Sequence, residues 1–268
     1  MTDPKLEEFP GIGRCRRFGT GPPVVILSSP LASPDAWAGP HVEALVEAGY
    51  EAITFVHTGA DYGYQAVVGD VVRFLGALDV GAVRLLGWSQ GAAIAQEVAL
   101  AAPELVAAAA LVAPYGRQNR IDALLQDAWA ELDSSESDLD SARLAMLLLT
   151  GEPPDSLADD DYLAARVAAV GAWATRPRDP EGRRRARGFI DSYGDRLDAL
   201  AEVRVPCLVI GFELDADTFA ERAREVARRI PDSTYLEISG AGHLLPLTDP
   251  SRVAAPVIDF FHRLDLRG

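Results

Sequence analysis

The sequence predicts an α/β fold, with a mostly parallel central sheet flanked by helices and a helical cap inserted into this core. Short apolar runs typical of buried strands alternate with amphipathic helical stretches, which favours parallel strands joined by right-handed crossovers. The predicted strands lie at residues 24–27, 51–56, 82–86, 106–112, 207–211 and 234–238. Strand patterns vanish over residues 117–196, where acidic helical segments follow one another, so this interval predicts the cap.

The remaining elements complete a core of two segments. Residues 8–20, punctuated by Gly11, Gly13 and Gly19, predict a hairpin at the edge of the sheet. The core helices are predicted to end at Ala48, to span 65–79, to run from Ala92 to near Pro103, and to span 218–230 and 250–264. The predicted α/β core therefore comprises residues 1–116 and 197–268, with the cap between them.

The composition fits one large α/β domain with an insertion, or two small domains, because 49% of the 268 residues are hydrophobic. The net charge of −15 at pH 7 argues against nucleic acid as a partner, since phosphate binding needs a basic surface. The Arg-rich run at 183–187 is therefore interpreted as a solvent-exposed helix face. We expect a small-molecule substrate and either a monomer or a homodimer.

Cysteine content and the lengths of the apolar runs favour a cytoplasmic location. The two cysteines, Cys15 and Cys207, do not make a disulfide framework, and Cys207 lies in a predicted core strand. No stretch approaches about 18 uninterrupted apolar residues and the N-terminal segment has no apolar signal core, so no membrane partner is expected. Lys5 is the only lysine, and this Arg- and Ala-rich composition is typical of a GC-rich bacterial genome.

The candidate nucleophile is Ser89, in the segment Gly87-Trp88-Ser89-Gln90-Gly91 between a predicted strand and a predicted helix. A serine at such a turn, with glycine two residues before and two after, is a nucleophile elbow. The turn strains the serine backbone, and a side chain at either glycine would collide with the neighbouring strand or helix. The N-terminal N–H groups and dipole of the following helix would point at the serine oxygen.

A serine hydroxyl needs a neighbouring base, and the chain has four histidines. His41 begins a helix near the opposite end of a strand-helix unit, and His262 lies in the last helix, outside the sheet. His57 ends a strand at the carboxyl edge, where ligands bind in open α/β sheets, but it precedes the serine. His243 follows the last strand at that edge, in a glycine-containing loop that can bring an imidazole inward. His243 is therefore the predicted base.

The acid is expected at the end of another strand at the same edge. The segment after residue 211 offers Asp215 as first choice, with Asp217 and Glu213 as alternatives. Asp217 fits an N-cap of the helix predicted to begin at Thr218, which leaves Asp215 for the triad. The other placement, after the strand 106–112, offers no acid. The sequence alone leaves open whether Asp217 rather than Asp215 is the triad acid.

The order Ser89, acid, histidine is that of the α/β hydrolases. The elbow, the Gly211-to-Asp215 segment and Gly240-Ala241-Gly242-His243 with the downstream Asp249-Pro250 resemble that family. Within it they are most similar to the small bacterial esterases, enol-lactonases and cofactor-free haloperoxidase-like members. The resemblance covers most of the chain except the cap. Serine at the elbow argues against the haloalkane dehalogenase and epoxide hydrolase branches, which use aspartate there.

The chain departs from the family pattern at two loops. Ser28-Ser29-Pro30-Leu31 stands where the family has a His-Gly pair, and the loop after Phe55 lacks the common Asp-x-Arg-Gly pattern. An oxyanion hole takes one backbone N–H from the residue after the nucleophile and one from the first of these loops. Gln90 is predicted to supply the first, and Leu31 the second, because Pro30 has no N–H.

The resemblance implies a serine hydrolase that acts on a carboxylic ester, lactone or thioester of a small to medium apolar substrate through Ser89, His243 and Asp215. No cofactor is implied, and the scattered histidines and two separated cysteines offer no metal-ligand spacing. Trp88 and His57 are predicted to contact the substrate. Two alternatives stay open: a lyase or cyclase of a bacterial natural-product pathway, and a ligand-binding protein on the same scaffold.

Overall fold

The structure is a computed structural model that describes residue 4 and residues 6–29, 34–134, 139–174 and 180–266. In this part of the chain the strands are β1 (Leu6–Phe9), β2 (Gly13–Phe18), β3 (Pro23–Leu27), β4 (Glu51–His57), β5 (Val83–Trp88), β6 (Val106–Val112), β7 (Cys207–Phe212) and β8 (Ser233–Ile238). The helices are α1 (Pro34–Glu47), α2 (Tyr64–Ala77), α3 (Gln90–Ala101), α4 (Arg120–Ser134), α5 (Asp140–Gly151), α6 (Asp160–Ala174), α7 (Pro180–Ser192), α8 (Ala220–Arg229), α9 (Leu245–Thr248) and α10 (Ser251–Asp265). Short 3₁₀ turns lie at Pro103–Leu105, Pro154–Ala158 and Ala199–Glu202.

The described strands form one sheet in the order β1-β2-β4-β3-β5-β6-β7-β8. The pairs β1–β2 and β2–β4 at one edge are antiparallel, and every later pair is parallel. The predicted mostly parallel sheet is thereby confirmed. Because the strands from β3 to β8 run in one direction, their carboxyl ends share an edge, and the loops after β5, β7 and β8 meet there.

Burial on both faces of the sheet explains the continuous apolar runs. Successive side chains of a strand point to opposite faces, so β3 contributes to two cores. Val24 and Ile26 pack in a cluster with residues of α1 and α10. Val25 and Leu27 pack on the other face with residues of α2, α3 and α8. The sheet is thus the middle layer of three, which fixes the positions of the loops at its carboxyl edge.

The main boundary difference from the sequence prediction lies after β7. The helix predicted to begin at Thr218 begins at Ala220, and its N-cap is Phe219, with φ 58°. The interpretation of Asp217 as the N-cap is therefore wrong. Asp215 Oδ1 accepts the N–H groups of Asp217 and Thr218, each at 2.9 Å, which holds both residues in a turn ahead of the helix.

Helices α4 to α7 lie between β6 and β7, over the interval predicted as the cap. Leu147 and Leu148 of α5 and Val170 of α6 form a small apolar cluster with Leu244, which follows β8. The N–H of Leu244 also donates to the carbonyl of Gly151 at 2.9 Å. The inserted helices are therefore attached to the loop that carries His243.

The Arg-rich segment of α7 forms ion pairs with nearby acids. Arg187 contacts Asp191 at 2.7 Å and Asp127 of α4 at 2.9 Å, and Arg184 contacts Glu181. These guanidinium groups therefore already have carboxylate partners. Among the helices that the structure describes, none combines the length and the apolar character needed to cross a bilayer.

Candidate active site

Ser89 lies in a strained turn between β5 and α3. Its backbone has φ 56° and ψ −122°, outside the regions that residues other than glycine ordinarily adopt. Its N–H donates to the carbonyl of Val112 on the neighbouring strand at 2.8 Å. Such strain persists where the surrounding structure fixes it, and here the serine lines a cavity at the carboxyl edge of the sheet.

The glycines on either side of Ser89 are required by close backbone contacts. A Cβ atom on Gly87 would lie 2.3 Å from the carbonyl oxygen of Gly91. A Cβ atom on Gly91 would lie 2.0 Å from the carbonyl oxygen of Leu27. Both distances are far below van der Waals contact, so a side chain at either position would force the strand and helix apart. The G-x-S-x-G spacing thus has a steric cause.

His243 and Asp215 form a buried pair in the loops after β8 and β7. His243 Nδ1 lies 2.8 Å from Asp215 Oδ2, and the hydroxyl of Thr218 donates to the same oxygen at 2.9 Å. Burial raises the pKa of Asp215, but the charge of His243 and hydrogen bonds from His243 and Thr218 outweigh it and leave the pKa below its usual value. Glu213, the other acid of this segment, instead accepts the N–H of Gly240 at 2.8 Å.

Asp217 contacts the other nitrogen of the same imidazole. Its Oδ2 lies 3.3 Å from His243 Nε2, and its side chain is 30% exposed. Burial lowers the pKa of His243, but the charges of Asp215 and Asp217 outweigh this and raise the pKa to about 9. Burial raises the pKa of Asp217 above its usual value despite the nearby imidazole. The histidine is therefore held between two carboxylates, one at each nitrogen.

A cavity of about 180 Å³ adjoins Ser89 and His243. Its apolar lining includes Trp88, Trp129, Leu147, Ile190, Leu244 and Leu247. The Trp88 ring lies 5.3 Å from the His243 ring, centroid to centroid, so this predicted substrate contact is beside the predicted base. Asp217 and Gln90 also line the cavity, whereas Asp215 lies behind the histidine with its side chain 1% exposed.

Gln90 is the first residue of α3, so its N–H has no carbonyl partner within the helix. Its side chain is held at both ends: Oε1 accepts from Ser29 Oγ at 2.9 Å, and Nε2 donates to the carbonyl of Ala186 in α7 at 3.1 Å. The side chain therefore links the loop after β3 to the inserted helices. Leu31, the predicted second oxyanion donor, lies outside the described residues.

His57 is not among the residues that line the cavity, so the structure does not bring this predicted substrate contact to the site. Its Nε2 lies 2.7 Å from Asp70 Oδ2, and both residues are buried. Asp70 also pairs with Arg73, and Gly59 packs so closely that a Cβ there would lie 2.3 Å from the Asp70 carboxylate. The sequence placed His57 correctly at the end of a strand, but that position did not show that Asp70 of α2 would be its partner.

Sequence reasoning missed a charged group in the cavity wall. Asp122 of α4 and Arg222 of α8 both line the cavity, and Arg222 Nε lies 4.0 Å from Asp122 Oδ2. Arg222 also contacts Glu225 at 2.9 Å. Asp122 and Trp129 are seven positions apart on α4, so the sequence could have placed them on one helix face. The contact of Asp122 with Arg222 of α8 depends on how the two helices pack.

The chain matches the alpha/beta hydrolase family over residues 19–255. A Mycobacterium tuberculosis protein that carries the name non-heme bromoperoxidase BpoC is 34% identical over 251 residues, which cover 91% of this chain and 95% of BpoC. The BpoC crystal structure has a TM-score of 0.84, covering 94% of this chain and 96% of that chain. Rhodomycin D methylesterase DnrP of Streptomyces peucetius is 27% identical over 270 residues, covering 88% of this chain and 89% of DnrP. The enol-lactonase of Burkholderia xenovorans, 20% identical with a TM-score of 0.74, has the same fold and covers 96% of this chain and 100% of that chain.

Proposed function

The chain belongs to the α/β-hydrolase family, and on this basis we propose that it is a serine hydrolase that cleaves a carboxylic ester, lactone or thioester. The observation that carries the proposal is that Ser89, at φ 56° in its elbow, shares one cavity with His243. The 2.8 Å contact between His243 Nδ1 and Asp215 supports the assignment of Asp215 as the triad acid.

The proposed cycle begins when His243 Nε2 accepts the proton of the Ser89 hydroxyl. The serine oxygen attacks the carbonyl carbon, and the N–H of Gln90 stabilises the oxyanion. Collapse of the tetrahedral intermediate breaks the ester bond, and His243 gives its proton to the departing alcohol. Water, activated by the same histidine, then attacks the acyl-serine to release the carboxylic acid and regenerate Ser89. Asp215 fixes the imidazole tautomer and stabilises the imidazolium throughout.

The composition of the cavity supports a substrate of small to medium size with an apolar part. Tryptophan and leucine side chains form much of the wall near Ser89, and apolar burial there favours an aliphatic or aromatic acyl group. Ester chemistry is also the activity in the name of the relative DnrP, a methylesterase. The bromoperoxidase name of BpoC describes a different activity, and no contact described above favours it over hydrolysis.

The test is the hydrolysis of p-nitrophenyl butanoate by the wild type and by Ser89→Ala. We expect Ser89→Ala to lower kcat/KM by at least about 10³-fold with the circular dichroism spectrum unchanged. Ser251→Ala is the matched control, because it removes an exposed hydroxyl that bonds to Asp249 at 2.7 Å, outside the cavity lining. Near-normal turnover in Ser89→Ala would reject the proposed nucleophile.

The same assay separates the alternatives. A lyase or cyclase would leave the activated ester intact while still requiring Ser89 or His243 for its own reaction. A ligand-binding protein would turn over no ester, yet its melting temperature would rise with a bound ligand. Turnover of the ester that depends on Ser89 is therefore the outcome that distinguishes the proposed hydrolase from both.

A further inference from the structure

Asp217 lies on the substrate side of His243. Its carboxylate is 3.3 Å from Nε2, lines the cavity and is 30% exposed, whereas the other acid, Asp215, is sealed behind the ring. In the proposed cycle Nε2 delivers its proton to the leaving-group oxygen. Asp217 is therefore adjacent to the position of the leaving alcohol.

The other charged side chains that the structure describes in the cavity wall form ion pairs that do not involve Asp217. Arg222 contacts Glu225 at 2.9 Å and Asp122 at 4.0 Å, and Arg117 also bonds to Glu225. Two guanidinium groups thus balance two carboxylates. Among the described residues that line the cavity or pair with its charged groups, the remaining charges are Asp215, Asp217 and His243. One negative charge is therefore left over when the histidine is protonated, and two when it is neutral.

The neighbouring uncharged groups suit a cation. Trp88 and Trp129 line the same cavity, and indole rings attract ammonium groups through their electron-rich faces. Tyr115 also lines it and is 8% exposed, and its hydroxyl has no hydrogen-bond partner among the described residues. Asp217 thus shares the cavity with a protonatable imidazole, a carboxylate and a guanidinium group 4.0 Å apart, and polarisable aromatic rings.

From this arrangement we propose that the protein prefers esters of amino alcohols, whose cationic group takes the place of the His243 Nε2–H as the partner of Asp217. The inference rests on the proposed hydrolase function and names its leaving-group class. When the ammonium group pairs with Asp217, the imidazolium loses one of its two anionic partners and releases its proton to solvent. The substrate therefore helps to produce the neutral base that attacks it.

The test compares two esters of the same shape, butanoylcholine and 3,3-dimethylbutyl butanoate, which differ in having N⁺ or carbon at one position. Release of butanoic acid from both is followed by pH-stat titration at pH 7. For the wild type we expect kcat/KM to be about tenfold or more higher for butanoylcholine. In Asp217→Asn this ratio falls to within about threefold of one, while kcat/KM for the neutral ester at pH 7 rises because the imidazole loses one of its anionic partners.

Asp232→Asn is the control for net charge, because Asp232 is exposed in the turn before β8, away from the cavity lining, and the wild-type ratio is expected to persist. A cooperative thermal unfolding transition is the check that Asp217→Asn is folded. Asp217→Glu, which keeps the charge, is expected to retain a preference for the cationic ester. A wild-type ratio near one, or a ratio that Asp217→Asn does not change, overturns the inference while Ser89-dependent turnover of p-nitrophenyl butanoate leaves the hydrolase proposal standing. Loss of that turnover itself would reject both.

Discussion

The carboxylate of Asp217 lies 3.3 Å from Nε2 of His243, the nitrogen through which a triad histidine reaches its serine. Asp215, two residues earlier, holds the opposite nitrogen at 2.8 Å. Within the described residues no hydrogen bond joins Ser89 to His243, so Asp217 is the contact that Nε2 makes in this state. The two acids of this loop therefore contact opposite nitrogens of one ring. In the proposed cycle Asp215 orients the base, and Asp217 contacts the nitrogen that accepts the serine proton.

The two acids should differ sharply when each is neutralised. Asp215→Asn is expected to lower kcat for p-nitrophenyl butanoate by about 10³- to 10⁴-fold, because an amide stabilises the wrong tautomer of His243. Asp217→Asn is expected to keep kcat within about tenfold of the wild type, since it leaves Nδ1 and its partner intact. Steady-state kinetics of the two purified variants provide the comparison. A larger loss in Asp217→Asn would move the triad acid to Asp217.

Turnover of a neutral ester should depend on the protonation of His243. Its pKa, raised to about 9 by two carboxylates against the effect of burial, keeps the imidazole protonated at neutral pH, so kcat/KM should rise with pH up to about 9. Asp217→Asn removes one of those carboxylates and should shift the rising limb to lower pH. The measurement is a pH profile of kcat/KM for 3,3-dimethylbutyl butanoate. An unchanged limb in the variant would show that Asp217 does not hold the imidazolium.

The interaction of His243 with its two carboxylates should also make the free energy of unfolding depend on pH. A histidine whose folded pKa is raised from 6.5 to about 9 binds more protons in the folded state over that interval. Its contribution to the free energy of unfolding is therefore complete below pH 6.5 and is lost as pH rises through about 9. Urea unfolding of wild type and His243→Gln at pH 6 and pH 9 should show a smaller difference at pH 9. An equal difference at both pH values would contradict the charged pair.

The elbow glycines should tolerate no side chain. Gly91→Ala would place a Cβ atom 2.0 Å from the Leu27 carbonyl, so we expect a loss of ester turnover together with a lower melting temperature. Gly76→Ala in α2 is the control, because nothing lies within 4 Å of its Cβ position, and alanine there is expected to stabilise the helix by about 0.5–1 kcal/mol. Differential scanning calorimetry of both variants tests the contrast. Equal melting temperatures would contradict the close backbone contact.

The inserted helices should open more readily than the sheet. Helix α4 has mostly exposed or half-buried side chains, whereas β5 and β6 are buried on both faces, and segments with few buried contacts exchange by local opening. We expect amide hydrogen exchange in α4 and α6 to be faster than in β5 and β6. Protection of α4 equal to that of the central strands would contradict the expectation that the inserted helices open more readily than the sheet.

The regular elements and the strained turn at Ser89 could be predicted from the sequence because each rests on a local pattern. The strand before Ser89 and the glycines around it fix the elbow by backbone sterics alone. His243 follows from its place after the last strand. The pairing of His57 with Asp70, the start of α8 at Ala220 and the contact of Asp217 with Nε2 depend on the directions of side chains in irregular loops. Those directions come from tertiary packing, which no short-range pattern encodes.

The central claim is that Ser89 is a nucleophile activated by His243, and covalent labelling tests it most directly. Wild type and His243→Ala are treated with phenylmethylsulfonyl fluoride, and the modified residue is found by peptide mass spectrometry. The account predicts one sulfonyl adduct, on Ser89, in the wild type and a rate of labelling lower by at least about 10²-fold in His243→Ala. No adduct on Ser89 in an enzyme that still hydrolyses p-nitrophenyl butanoate would contradict it.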